Sequence, residues 1–152
     1  MSQTAIADLS PLAGLALQSL SLADTPVAHL APLAPLASVE TLYHVDVSRT
    51  RVTSLAALAR GNIGFVAATG SLLSTLDGVA DMPHLRRLIA SGNAISDISS
   101  LTKGRPVWID LTGNTLDAAA PTIIKNLCAA GWAFDWDGGS CGNTCSFESC
   151  TN

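Results

Sequence analysis

Residues 85–101 read LRRLIASGNAISDISSL, and the spacing of their apolar side chains decides the fold. Leu88 and Ala90 are two residues apart, which places both on one face of a short strand. Asn93 follows at a corner, where its side chain can bond backbone groups that the bend leaves unpaired. The return segment then carries apolar residues three apart, which suits 3₁₀ turns or loose helix: Ile95, Ile98 and Leu101. One such coil cannot bury its apolar side alone, so it needs similar coils above and below it.

The same register recurs along the chain. Repeats start at positions 17, 42, 63, 85 and 106, so successive starts are 25, 21, 22 and 21 residues apart. The fourth position of each repeat, predicted to face the core, holds Leu20, Val45, Val66, Leu88 and Ile109. The corner position holds Thr25, Thr50, Ser71, Asn93 and Asn114. A half-repeat in residues 1–16 supplies Ile6, Leu9 and Leu12 at the return-segment spacing.

This pattern resembles the leucine-rich repeat, whose signature is L-x-x-L-x-L-x-x-N-x-L. It is most similar to the short bacterial, internalin-like class, and the resemblance covers roughly residues 5 to 118. The resemblance implies an α/β solenoid: a curved stack with a parallel concave sheet and a convex side of loops and 3₁₀ turns. The resulting domain spans residues 1–139.

Residues 117–139 are predicted to close the C-terminal end of the stack. Pro121 fits a first helical turn and Gly131 a helix end, with Cys128 on the buried face as a packed thiol. Phe134 and Trp136 alternate with aspartates, which indicates a final strand with both large side chains inward. We therefore expect a capping helix and strand, as terminal repeats must cover an open apolar end.

Composition limits the classes of function. The chain of 152 residues is 48% hydrophobic and only 13% charged, with a net charge of −4 and a pI near 5.1. An acidic chain argues against nucleic acid as the partner, because phosphate binding needs a basic stripe. A surface this poor in charge suggests that a partner protein or self-association covers part of it.

The N-terminal residues are apolar but predict neither export nor a membrane span. No Lys or Arg precedes Arg49, so the positive region of a signal peptide is missing. The apolar stretch is short and interrupted by Ser and Pro, and its leucines follow the repeat register. We expect the full-length chain to be cytoplasmic, with export open only for a processed tail.

Residues 140–152, SCGNTCSFESCTN, differ from everything before them and are predicted to form a flexible tail. The tail has three of the four cysteines and one large apolar residue, so it cannot form a core of its own. A disulfide-closed end, a metal site and a functionless end are all open interpretations. The spacings C-x₃-C and C-x₄-C, with no nearby His, are not those of a zinc knuckle.

The tail also resembles the core of a lanthipeptide precursor, a ribosomally made peptide that partner enzymes modify. That resemblance implies cleavage at the double glycine, Gly138 and Gly139, by a processing protease. It implies dehydration of Ser or Thr and addition of a Cys thiolate to give thioether rings. The residues involved would be Ser140, Cys141, Thr144, Cys145, Ser146, Ser149, Cys150 and Thr151.

The concave face is predicted to be a binding surface, whether or not the tail is modified. Large aromatic and Arg side chains on an otherwise small-residue surface are typical interface anchors. The predicted partner-binding residues are His44, Asp46, Phe65, Arg87, Ile89, Trp108 and Asp110. Alternatively, Phe65 and Trp108 only cover neighbouring side chains.

The chain itself is not expected to be an enzyme and needs no cofactor. His44 and Asp46 could form an acid–base pair, but no Ser or Cys nucleophile is placed beside them. Two functions remain: a leader that binds a peptide-modifying enzyme and presents the tail, or a stand-alone protein-binding module with a disulfide-stabilised end. Self-assembly is a third option.

Overall fold

The computed structural model describes residues 8–12, 15–34 and 42–142. Seven strands lie side by side in chain order to form one sheet. Their bounds are β1 Ser19–Ser21, β2 His44–Asp46, β3 Phe65–Ala67, β4 Arg87–Ile89, β5 Trp108–Asp110, β6 Ala133–Trp136 and β7 Gly139–Cys141. Each of the first six strands is parallel to its neighbour, and β7 is antiparallel to β6. The predicted curved leucine-rich repeat solenoid is confirmed.

The repeat register read from the sequence is the register of the sheet. Val45 on β2 pairs with Val66 on β3, and Leu88 on β4 pairs with Ile109 on β5. All four side chains are fully buried, because alternate strand residues point to the same side and face the convex layer. The column continues at both ends, through Leu20 on β1 and Phe134 on β6.

Short 3₁₀ helices form most of the convex layer, as the three-residue spacing predicts. Their bounds are Ser10–Leu12, Ala31–Leu33, Ala56–Leu58 and Ser99–Lys103. Leu33, Leu58 and Leu101 are completely buried from this side. Each of the last three helices therefore presents one buried apolar residue to the strands across the core, and stacking the coils makes one continuous cluster.

Hydrogen bonds between coils hold the corner positions together. Asn93 Nδ2 donates to Ala68 O of the preceding coil at 2.7 Å and to Ala90 O of its own coil at 2.9 Å. Asn93 Oδ1 accepts the Leu73 N–H at 3.0 Å. At an earlier corner the Ser71 hydroxyl likewise donates to Val47 O of the preceding coil, at 2.6 Å. Ser and Asn therefore satisfy buried backbone carbonyls in the same way, which explains why both occur at this position.

The residue just before each corner has a left-handed backbone conformation, with a positive φ. Glycine occupies this position in three coils, but Asp24 and Arg49 adopt φ of 61° and 54° at the equivalent positions. Their side chains form an ion pair, with Arg49 Nη2 2.6 Å from Asp24 Oδ2. A strained backbone at adjacent coils is thus accompanied by a contact between the two side chains.

The C-terminal end of the stack is closed by a helix and a strand. Helix α1 spans Ala120–Ala129 and buries Ile124 and Leu127 against the last coil. Phe134 on β6 is fully buried, and its ring stacks on that of Trp132 with centroids 5.9 Å apart. Trp136, predicted to be inward as well, is only partly buried.

Two predictions about this end are wrong. Cys128 is not a free packed thiol: it forms a disulfide with Cys141. The sheet also continues past the predicted boundary at 139/140, because Ser140 and Cys141 lie in β7 and pair with Asp135 and Phe134. The helix places Cys128 towards this strand, and the hairpin from β6 to β7 returns Cys141 to meet it.

Candidate functional site

The concave face is built from the strand residues on either side of the buried column. Because the strands are parallel and in register, equivalent side chains line up across the sheet. Residues at the third repeat position pair in the order Ser19, His44, Phe65, Arg87, Trp108 and Ala133. The four central members of this line are called the concave row: His44, Phe65, Arg87 and Trp108.

The concave row is a continuous set of ring and cation contacts. The His44 and Phe65 rings meet edge to face, with centroids 4.5 Å apart and planes at 71°. The Arg87 guanidinium carbon lies 4.2 Å from the centroid of the Trp108 ring and 5.9 Å from that of Phe65. Such cation–π contacts hold a long Arg side chain in one orientation. These contacts therefore hold the side chains of the row in a fixed arrangement.

The fifth repeat position adds carboxylates at the other edge of the concave face. Asp46 and Asp110 lie on β2 and β5, with Ile89 between them on β4. Asp46 Oδ1 accepts the Ser48 N–H at 2.9 Å, and Asp110 Oδ1 accepts the Thr112 N–H at 2.9 Å. Both carboxylates therefore close local turns, while Ile89 is a partly buried apolar contact beside them.

Small hydroxyl residues follow at the seventh position and bond to one another. Ser48 Oγ accepts the Thr69 N–H at 3.2 Å, and the Thr69 and Ser91 hydroxyl oxygens lie 3.3 Å apart. These short side chains project little from this part of the concave face. The side chains of the concave row are larger and project further from the sheet.

Sequence reasoning missed Tyr43, which precedes the concave row and is 50% exposed. Its ring lies over Gly64 on the neighbouring coil, where a Cβ would overlap the ring. A glycine at this one repeat position was the available signal, since it leaves room for a large neighbour. Tyr43 extends the aromatic surface next to His44.

Sequence reasoning also missed a cleft at the start of the strands, which we call the arginine cleft. It has a volume of about 330 Å³. Its charged and aromatic lining consists of His84, Arg86, Arg105 and Trp108. Arg105 Nη1 donates to the Pro83 carbonyl, which fixes one guanidinium at the wall. Trp108 belongs to both features, so the cleft opens beside the concave row.

The double glycine has a structural explanation. Asp137 and Gly138 form the turn between β6 and β7, and Gly139, the first residue of β7, pairs with Trp136. A Cβ at Gly138 would overlap the Trp136 indole nitrogen, and Gly139 has φ of 140°. This turn therefore requires glycine whether or not a protease cuts there.

The predicted modified core is only partly within the described residues. Ser140 is exposed and Cys141 is partly buried in β7. The other members lie outside the described residues: Thr144, Cys145, Ser146, Ser149, Cys150 and Thr151. The disulfide engages the Cys141 sulfur, which a thioether ring would need.

The described residues hold little that suggests catalysis or metal binding. His44 contacts the Phe65 ring, and Asp46 Oδ1 accepts the Ser48 N–H. Among the residues that the structure covers, there is no group of three or more potential metal ligands. No described helix is long and apolar enough to cross a bilayer.

Comparison with known proteins supports the fold and leaves the function open. No protein-family model matches the chain. An internalin from Listeria monocytogenes superposes with a TM-score of 0.65 at 24% identity, covering 84% of this chain and 37% of the internalin. A second internalin from that organism gives a TM-score of 0.58 at 25% identity, covering 76% of this chain and 51% of the internalin.

A sequence match points to a much larger protein. The α subunit of mouse (Mus musculus) geranylgeranyl transferase type-2 is 34% identical over 105 residues. The match covers 62% of this chain but only 18% of the mouse subunit, and the chain spans about a third to a half of the two internalins. The similarities establish the leucine-rich repeat fold, and no activity of the longer proteins transfers with it.

Proposed function

We propose that this protein is a non-catalytic binding module whose concave face holds a protein partner. The observation that carries the proposal is the concave row, in which Phe65, Arg87 and Trp108 contact one another in sequence. Aromatic and Arg side chains are enriched among residues that dominate interface energies. Curved repeat stacks commonly use their concave surface for binding.

Preorganisation strengthens this proposal. Burying an exposed Arg at an interface normally costs side-chain entropy, on the order of 1 kcal/mol per flexible side chain. The Arg87 guanidinium carbon already lies 4.2 Å from the Trp108 ring centroid in the free protein. Arg87 therefore loses less side-chain entropy when a partner binds. The small hydroxyl residues at the seventh position leave space for a partner at the far end of the concave face.

The experiment is quantitative affinity capture from the source organism with three immobilised proteins. Wild type is compared with Trp108→Ala and with Leu72→Ala, which removes an apolar side chain that is 54% exposed and lies outside the strands. The proposal predicts a protein that is enriched by wild type and Leu72→Ala and lost with Trp108→Ala. Circular dichroism checks that all three are folded. Equal recovery on all three would contradict the proposal.

The precursor role is a separate proposal and has less support. It needs free cysteines and hydroxyls in residues 140–152, whereas Cys141 is bonded to Cys128. Its double glycine also has a role in the hairpin turn. A modifying enzyme or protease as the partner therefore stays a prediction.

The cytoplasmic location of the chain also stays a prediction, and the disulfide argues against it. Disulfides persist mainly in oxidising compartments, so the Cys128–Cys141 bond favours a location outside the cytoplasm.

A further inference from the structure

We infer that the arginine cleft binds a carboxylate of an acidic peptide segment in the partner, and this inference rests on the proposed function. The cleft lies between the starts of β4 and β5, and Trp108 forms part of its wall. A segment that crosses the concave row at Trp108 therefore passes its mouth. The cleft shares Trp108 with the concave row, whereas its two guanidinium groups, those of Arg86 and Arg105, lie outside the row.

The charge in the cleft is not balanced by the described residues. Arg86 and Arg105 are both exposed, and none of the residues lining the cleft carries a carboxylate. The single ion pair found among the described residues joins Arg49 to Asp24, two coils away. A chain with a net charge of −4 thus keeps a local positive site at one edge of its sheet.

The two guanidinium groups suit a carboxylate. Arg105 is anchored through its bond to the Pro83 carbonyl, while Arg86 follows directly after a buried residue, Leu85, and projects from the start of β4. A planar guanidinium can donate two parallel hydrogen bonds to a carboxylate, which gives orientation as well as attraction. Two such groups around one cleft can address both oxygens.

The charge distribution also sets the polarity of binding. Asp46 and Asp110 lie at the carboxyl ends of β2 and β5, and Asp135 lies one residue before the carboxyl end of β6. Arg86 and Arg105 lie before the amino ends of β4 and β5. Because the strands are parallel, an acidic segment is attracted to one edge of the concave face and repelled from the other.

The test uses the full chain and a hexaglutamate peptide that is acetylated and amidated at its ends, so that only side-chain carboxylates are present. Binding is followed by NMR at the Trp108 indole N–H, assigned with Trp108→Phe. We expect saturable shifts that hexaglutamine does not produce. We also expect them to weaken when ionic strength rises from about 0.01 M to 1 M, where the Debye length falls from about 30 to 3 Å.

Variants separate the cleft from general charge attraction. Arg86→Gln and Arg105→Gln should each raise the Kd for hexaglutamate about tenfold, as expected for loss of one charge-assisted hydrogen bond. Arg51→Gln removes the same charge at an exposed site on another coil. This variant should change the Kd for hexaglutamate by less than about twofold. Equal effects of all three variants, or no binding of the peptide, would overturn the inference. Complete displacement by equimolar sulfate would also overturn it, because the site would then bind any anion.

Failure of this inference is distinguishable from failure of the proposed function. If hexaglutamate does not bind while Trp108→Ala still abolishes capture of the partner, the cleft assignment is wrong and the concave row stands. If hexaglutamate binds at the cleft but capture survives Trp108→Ala, the cleft binds acidic peptides and the concave row is not the partner site.

Discussion

The side-chain amide of Asn93 donates a 2.7 Å hydrogen bond to the carbonyl of Ala68, which lies 25 residues earlier in the chain and one coil below. Residues that are about one repeat apart in sequence lie close together in space, because successive coils have nearly the same length and stack on one another. The corner residues therefore form a ladder along the solenoid that is independent of the apolar core.

Removing that corner amide should destabilise the stack. Asn93→Ala leaves the carbonyl of Ala68 and the N–H of Leu73 without their side-chain partner, whereas the Ala90 carbonyl keeps its bond from the Asn114 amide. We expect the free energy of unfolding to fall by about 2 kcal/mol. Urea unfolding followed by tryptophan fluorescence measures it. Asn93→Ser should lose less, since Ser71 spans the same gap in another coil. Asn126→Ala, on the exposed side of α1, serves as the control, and an equal loss there would refute the ladder.

Breaking the disulfide should loosen the C-terminal end. Cys128 and Cys141 are 13 residues apart, and a cross-link closing a loop of this size contributes about 3 kcal/mol. Cys141→Ala and a reducing agent should each lower the free energy of unfolding by a similar amount, and together by no more. A reducing agent that further destabilises Cys141→Ala would show that another cysteine pair contributes.

The pairing itself can be read from peptides. Trypsin leaves all four cysteines in one peptide, residues 126–152, whereas cleavage before Asp135 and Asp137 separates Cys128 from Cys141. The two fragments should stay joined until reduction, including in a Cys145→Ser/Cys150→Ser variant. Separation without reduction in that variant would refute the pairing.

The ion pair at the first two corners should be visible in a titration. The side-chain hydrogen bond from Arg49 holds the pKa of Asp24 below its ordinary value. A depressed pKa means that the pair stabilises the fold above the unfolded pKa of the carboxyl and that this stabilisation is lost as pH falls through the folded pKa. Arg49→Gln should return the pKa of Asp24 towards the ordinary range in a carboxyl NMR titration.

An internal control for this titration is available. The pKa of Asp97 is also lowered, but by hydrogen bonds from the Ser99 backbone and hydroxyl. It should not respond to Arg49→Gln. A parallel shift of both carboxyls would indicate a global change in the protein instead of loss of the pair.

Peptide mass distinguishes a binding module from a modified precursor. In a binding module isolated from its own organism, residues 126–152 should differ from their sequence mass only by two hydrogens per disulfide. Loss of whole water molecules confined to residues 140–152 would contradict this and support the precursor role. Co-expression with neighbouring modifying enzymes extends the same measurement to conditions in which dehydration is possible.

The repeat register could be predicted because a solenoid places its sequence period directly in space. Leu88 and Ile109 occupy equivalent positions in successive repeats, and they pair on adjacent strands. Asn93 was likewise recognisable, since a corner between a strand and a return segment leaves backbone groups that need a side-chain partner. Phe65, Arg87 and Trp108 followed from the same register, as alternate strand residues must face away from the core.

The disulfide and the arginine cleft could not be predicted from the sequence, because both depend on turns and loops that have no repeat pattern. Cys128 meets Cys141 only because the chain reverses at Asp137 and Gly138. The double glycine that begins with Gly138 is equally compatible with a linker or a cleavage site. The arginine cleft was missed because Arg105 lies in a connecting loop, whose position is set by packing. Its distance from Arg86 is not encoded in repeat spacing.

The most direct test of the concave-face proposal is calorimetric titration of the purified, captured partner into the full chain. Phe65→Ala and Trp108→Ala should each raise the Kd at least about tenfold, and Leu72→Ala should leave it within about twofold. Unchanged affinity in both concave variants, with the affinity lost in Leu72→Ala, would place the partner on another surface and contradict the account.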